Sequence, residues 1–192
     1  RIRIGVVGGG FGSCFPWHEH PNAVVAAVSD LLPERRDHLS KTFKCDKTYE
    51  SLEKLILDKD IDAVAVWTPA PDHARHVEMV LNSGKHAISA VPLGMNLEEC
   101  ERVLEAVQRT GLTYMMAETS FYRQDTITAR QWYKQGRFGE IVHTEGEYYH
   151  DHTGPNLQYW HSKGGPTWRY GFAPMHYPTH STSFLTGVTG ER

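Results

Sequence analysis

Between Ile2 and Asp30 the chain carries an ordered set of residues that few folds can accommodate. An apolar run, Ile4 through Val7, leads directly into Gly8-Gly9-Gly10-Phe11-Gly12-Ser13, and a second apolar run, Ala23 to Val28, closes on Asp30. That order predicts a strand, a glycine-rich turn, a short helix and a second strand ending on an acid. Each part has a chemical reason. Gly8 suits a tight turn, Gly10 lets the backbone approach a pyrophosphate, and a helix start offers unpaired N–H groups to negative charge. Ser13 takes the third glycine position and is small enough for close helix–strand packing. Asp30 follows Gly10 by twenty residues, where a strand-end carboxylate reaches both ribose hydroxyls of an adenosine. Gly8, Gly10, Phe11, Gly12, Ser13 and Asp30 are therefore cofactor-binding candidates. A 2′-phosphate would face the Asp30 carboxylate, which favours NAD, while Arg35 and Arg36 keep NADP open as the second option. A glycine-rich turn that holds no ligand is the competing reading.

Strand-like and helix-like runs alternate to about residue 118, the pattern of a parallel sheet covered on both faces, and this predicts a doubly wound α/β fold. Pro33 to Thr42 reads as a helix, Lys47 to Tyr49 as a strand and Ser51 to Leu57 as a helix. Ile61 to Trp67 is a strongly apolar strand stopped by Thr68-Pro69-Ala70-Pro71. Ligands of open parallel sheets bind beyond the carboxyl ends of the strands, which makes Thr68, Pro69 and His73 cofactor-facing candidates, with a solvent-facing or capping role the alternative for His73. A helix from Asp72 to Ser83, a strand from His86 to Ala90, a helix capped by Asn96 and Glu99 and running to Thr110, and a strand from Leu112 to Ala117 complete six strands. The fifth strand delivers Ala90 and Pro92 to the same edge.

Beyond this point the composition changes. Phe121 to Gln135 reads as a connecting helix and Glu140 to His152 as a long strand, and residues 153–178 are rich in Gly, Pro, Trp, Tyr and His, good material for the wall of a polar pocket. A last helix is expected over Ser181 to Thr186. The 20 basic and 23 acidic side chains nearly balance, without a basic block, which argues against a nucleic-acid partner. No apolar run is long enough to predict a membrane span. Cys14, Cys45 and Cys100 lack close pairing and read as reduced, mostly buried thiols of a cytoplasmic protein; because the chain starts at Arg1, a trimmed leader and an exported form stay open.

Gly8-x-Gly10, Asp30, Ile61-Asp62-Ala63-Val64, Thr68-Pro69 with His73, Gly84-Lys85-His86 and Pro92-Leu93 together resemble the glucose–fructose oxidoreductase / inositol dehydrogenase / rhizopine catabolism (Gfo/Idh/MocA) family. The resemblance implies an NAD(P)-binding Rossmann domain over residues 1–120, followed over residues 121–192 by the opening part of an α+β domain. That domain lays down an open, mostly antiparallel sheet and continues past Arg192 in such proteins. It also implies a sugar, cyclitol or sugar-derivative substrate oxidised by hydride transfer, and a homo-oligomer formed through that second sheet.

Two departures bear on mechanism. Where the family usually reads Glu-Lys-Pro this chain has Ala90-Val91-Pro92, and Ala173, Tyr177 and His180 stand near positions that usually hold Asp, His and Asp. The cluster His176-Tyr177-Pro178-Thr179-His180 is the expected replacement, with His176, Tyr177 and His180 as catalytic candidates, since a histidine near neutrality accepts a hydroxyl proton and a tyrosine beside it donates a hydrogen bond. Packing and hydrogen bonding at a domain junction is the bland alternative. Glu118, Tyr122, Tyr149 and His150 are expected along the substrate wall. The segments Gly139 to Asp151 and Met115 to Glu118 with Tyr122 also look like the family branch that cleaves glycosides with bound NAD, through transient oxidation and elimination. A non-catalytic NAD- or sugar-binding protein is the reading from another class. A metal-assisted enzyme using His150, Asp151, His152, His176 and His180 is a third, and the spacing gives it no compact ligand pair.

Overall fold

The computed structural model describes residues 1–151, 153–154, 160–162, 165–173, 175 and 177–190. Six parallel strands form one sheet: β1 (Ile2–Val7), β2 (Ala23–Ser29), β3 (Thr48–Tyr49), β4 (Ala63–Val66), β5 (His86–Ser89) and β6 (Tyr114–Met116). Their order across the sheet is β3-β2-β1-β4-β5-β6. The chain thus winds outward from β1 on one side and from β4 on the other. The carboxyl ends of β1 and β4 flank the point where the winding reverses. Val6 pairs with Val28 on one side and Ala65 on the other, so β1 is fully internal and must be apolar on both faces.

Side-chain alternation builds two cores. Ile4 and Val6 face one layer with Val25, Val28, Leu39, Phe43 and Ala65, whereas Val7, Val64 and Val66 face the other with Val77, Val80, Leu81 and Val103. The first layer receives α1 (Pro33–Phe43), and the second receives α2 (Leu52–Leu55), α3 (His73–Asn82) and α4 (Leu97–Thr110). Asn96 caps α4 by accepting from the Glu99 N–H, 2.9 Å, and Gly111 ends it in the left-handed conformation.

The sheet and its helices form one compact unit, Arg1–Ala117, and a second compact unit runs over Glu118–Arg192. The described elements of the second are α5 (Gln124–Lys134), the antiparallel pair β7 (His161–Ser162) and β8 (Gly165–Pro166), and α6 (Thr179–Thr189). Arg130 fastens α5 to α6: its Nε donates to the Gly187 carbonyl, its Nη2 to the Phe121 carbonyl at 2.8 Å, and its guanidinium lies 4.1 Å from the Phe121 ring centre. An added Cβ at Gly187 would press on Phe121 and Thr126 at 3.1 Å, so a small residue lets the two helices close.

The structure departs from three expectations. The helix expected after the glycine turn is replaced by two single 3-10 turns, Gly12–Cys14 and Trp17–Glu19, because Pro16 has no N–H to continue a helix and Phe15 and Trp17 turn inward to pack near Trp67. The long strand expected over Glu140 to His152 is not formed over its described part: residues 141–151 have no strand partner among the described residues, and without a partner an extended segment is no strand. Finally, of the thiols expected to be mostly buried, only Cys45 is; Cys100 is half-buried, and Cys14, at the end of a single turn, is exposed. Among the described residues no helix is long and apolar enough to cross a membrane.

Candidate functional site

The glycine turn sits where β1 ends, beside the end of β4. Gly8 has φ +100°, and a Cβ there would lie 2.4 Å from the Trp67 carbonyl oxygen, so no side chain fits. A Cβ added at Gly12 would lie 2.8 Å from the Trp67 ring. Gly10 differs: it is exposed, and the nearest atom to an added Cβ is Arg35 Nη1 at 3.8 Å. Nothing inside the protein demands glycine at that position, which leaves open backbone for a ligand to approach.

Asp30 holds this turn from below. Its Oδ2 accepts the Gly9 N–H at 2.6 Å and its Oδ1 accepts the Leu32 N–H at 2.9 Å, and the residue is 9 % exposed. Each carboxylate oxygen keeps a second lone pair for a ribose hydroxyl. The Gly8 N–H goes to Ser29 and the Gly12 N–H to Gly8, while the Gly10 and Phe11 N–H groups have no acceptor among the described residues. Two adjacent unpaired donors over an open glycine suit a phosphate oxygen, so the residues present fit an adenine dinucleotide. With only a 3-10 turn behind them, these donors, rather than a helix dipole, supply the attraction. Phe11, half-exposed, lies edge-on to Phe15 and Trp67, and Phe15 stacks on Trp67 at 4.1 Å. Ser13 is half-buried in the following turn.

Two histidines bond the loops that follow β4 and β5, and one of them, His73, joins the two. His76 Nε2 faces the Arg75 Nη2, a donor only, at 2.8 Å, so its Nδ1 carries the hydrogen and donates to Thr68 Oγ1 at 2.8 Å. Burial, aided by Arg75, lowers the His76 pKa and keeps the ring neutral. His73 is 1 % exposed, with Nδ1 2.6 Å from the Pro92 carbonyl oxygen and Nε2 2.7 Å from that of Thr68. The direct cofactor contact expected of His73 is thereby corrected, since its ring is buried and spends both nitrogens on backbone. Pro69 is exposed, Ala90 half-buried and Pro92 buried. Sequence reasoning missed His76; its spacing from Thr68 carried no motif.

In the second unit, Glu118 and His180 meet although 62 residues apart. Glu118 Oε1 accepts the Ser120 N–H at 2.8 Å and lies 2.6 Å from His180 Nδ1. His180 Nε2 lies 2.9 Å from the Tyr177 hydroxyl, and the Tyr148 ring stacks on His180 with centres 4.3 Å apart. The carboxylate fixes the tautomer: Nδ1–H donates to Glu118, and Nε2 accepts from Tyr177. Burial pushes the Tyr177 pKa up to about 12, so the phenol keeps its proton at neutrality. Burial also raises Glu118, but the hydrogen bonds from His180 and Ser120 outweigh it and hold the carboxyl below its usual range.

Of the expected catalytic and substrate-wall residues, the structure therefore brings Tyr177, His180 and Glu118 together, with the His150 ring 6.3 Å from Tyr177. It does not gather the rest. Tyr149 is 80 % exposed and Tyr122 53 % exposed, both outside this hydrogen-bonded group. His176 lies outside the described residues. Tyr148 and Ser120 were missed, although Tyr148 adjoins a residue that was expected. Among the described residues no three His, Cys, Asp or Glu side chains gather as a metal site, and His152 and His176 lie outside them.

The model of an oxidoreductase family, GFO/IDH/MocA, NAD-binding Rossmann fold, matches residues 2–118. A Glycosyl hydrolase family 109 protein of Shewanella putrefaciens is 32% identical over 171 residues, covering 84% of this chain and 35% of its own length. An Alpha-N-acetylgalactosaminidase of Shewanella oneidensis matches with the same identity and coverage. The chain thus spans about a third of the length of these curated relatives. Among solved structures, scyllo-inositol dehydrogenase from Lactobacillus casei with bound NAD(H) and scyllo-inositol is similar with TM-score 0.68 and 26% identity, over 73% of this chain and 43% of that one.

Proposed function

This chain belongs to the Gfo/Idh/MocA oxidoreductase family and carries its NAD-binding Rossmann fold, and from that premise we propose that the protein cleaves a glycoside with NAD as a resident redox cofactor. The observation that carries the proposal is the hydrogen-bonded series Tyr177–His180–Glu118, in a chain that has Ala90-Val91-Pro92 in place of a lysine-bearing loop. The similarity to family 109 glycosyl hydrolases and to an α-N-acetylgalactosaminidase supports the same direction.

When bound, NAD would supply reversible hydride exchange with a sugar carbon, the redox chemistry that would make the neighbouring C–H acidic enough for an aglycone to be eliminated and replaced by water. The Gly10 and Phe11 N–H groups would hold its diphosphate, and Asp30 its adenosine ribose, with Thr68, Pro69, Ala90 and Pro92 on the same sheet edge. The chain's own chemistry is proton handling. Tyr177 Oη exchanges a proton with the substrate, His180 Nε2 takes that proton in turn, and Glu118 stabilises the imidazolium that results. Neutral Tyr177 is the form that burial favours at rest, which suits the first donor of such a series. His150, its ring 6.3 Å from that of Tyr177, belongs to the proposed substrate wall.

The second reading is a sugar or cyclitol dehydrogenase, favoured by the similarity to the NAD(H)-bound scyllo-inositol dehydrogenase. A homo-oligomer through the second domain's sheet and a cytoplasmic location, the latter supported by three free cysteines, belong to either reading. The experiment that separates them uses the full-length, NAD-loaded protein with aryl α-N-acetylgalactosaminides and with free sugars. Aglycone release without net NADH supports glycoside cleavage; steady NADH from free sugars and no aglycone release supports a dehydrogenase.

A further inference from the structure

His73 makes an arrangement that a neutral imidazole cannot satisfy. A carbonyl oxygen only accepts, and His73 presents Nδ1 to the Pro92 oxygen at 2.6 Å and Nε2 to the Thr68 oxygen at 2.7 Å. With one hydrogen on the ring, one of these contacts would set a nitrogen lone pair against an oxygen lone pair inside a residue that is 1 % exposed. Turning the ring over puts carbon where each nitrogen stood and leaves both carbonyls without this donor.

We propose that His73 is carried as an imidazolium, a positioning residue whose two N–H groups strap the Thr68 loop to the Pro92 loop and so set the sheet edge that receives the nicotinamide end of the cofactor. The inference rests on the cofactor reading for its purpose and on geometry alone for the charge. The strapped loops are the continuations of β4 and β5, neighbours in the sheet, and they carry Thr68, Pro69, Ala90 and Pro92. Neither loop, over residues 66–69 or 90–95, holds an ionisable side chain. Charged and titratable groups near the strap include Asp72, Arg75 and His76 on its own turn and helix, Glu53 of α2, whose carboxylate lies 4.0 Å from Arg75, and Glu99 of α4, which binds the Met95 N–H at 2.7 Å. His76, kept neutral, adds no second positive charge beside it.

The test is nitrogen NMR of the histidine rings in the full chain at pH 7.5, with His73 assigned by its loss in His73→Gln. Both His73 nitrogens should appear protonated; one bare nitrogen overturns the inference whatever the variant does. In parallel, NADH titration of the folded His73→Gln protein should give an affinity at least about tenfold weaker than wild type, since one amide cannot span two loops. Unchanged affinity also overturns it. Absence of NADH binding by the wild-type protein would instead strike the cofactor reading, and the ring-nitrogen signals would still decide the charge of His73.

Discussion

Oε1 of Glu118 lies 2.6 Å from Nδ1 of His180, and both residues are buried. The pair is the support of the tyrosine beyond it. A carboxylate that accepts from Nδ1 leaves Nε2 bare, and only a bare Nε2 can accept from Tyr177. The hydrogen bond that Tyr177 donates is thus set by a residue two hydrogen bonds away.

Glu118→Gln should cost about 1–3 kcal/mol of stability, because a charge-assisted buried hydrogen bond is replaced by a neutral one. The pH dependence has a defined sign. The folded carboxyl is held below its ordinary value, so its stabilisation is fully present above about pH 4.3 and is lost as pH falls through the depressed folded value. Urea unfolding of the wild-type and variant proteins between pH 3 and 7 checks this: their stabilities should converge toward the acid end.

Tyr177→Phe keeps the ring and removes the proton. Turnover by the full-length enzyme should fall about 10²–10⁴-fold, the usual worth of a positioned acid–base group, while NADH affinity stays at the wild-type value. Steady-state kinetics and NADH titration measure the two quantities separately. Undiminished turnover would remove Tyr177 from the mechanism.

Asp30→Ala releases the Gly9 and Leu32 N–H groups together. The expected result is NADH binding about 10–100-fold weaker, read by calorimetric titration. A smaller effect would mean that the turn keeps its shape without the carboxylate.

Gly8→Ala and Gly10→Ala should separate folding from binding at one turn. At Gly8 a methyl meets the Trp67 carbonyl at 2.4 Å on a backbone with φ +100°, so stability should drop by about 2–5 kcal/mol. At Gly10 the nearest atom is 3.8 Å away at the tip of Arg35, so the melting temperature should hardly change while NADH binding weakens, the methyl standing where the diphosphate would approach. Thermal melts with and without NADH read both effects.

Local patterns were enough to mark the six parallel strands, the turn at Gly8 and the acid at Asp30, because apolar period, glycine and helix caps act over a few residues and need no distant partner. Interactions across long separations decided the rest. His73 looks in the sequence like a loop residue facing a ligand, and only the return of the chain at Pro92 gives its second nitrogen a carbonyl and buries it. The run of aromatic and ionisable residues from Glu140 to His152 reads as a strand, but a strand exists only through a partner's hydrogen bonds, and none of the described segments supplies them. Glu118 and His180 each stand out by residue type; that they share a proton, and that Tyr148 covers them, follows from α6 packing back onto the turn at Ser120, a contact that no spacing along the chain encodes. Residue order along the chain suffices for the dinucleotide scaffold, whereas contacts between distant residues settle which polar groups are spent on holding that scaffold and which stay available.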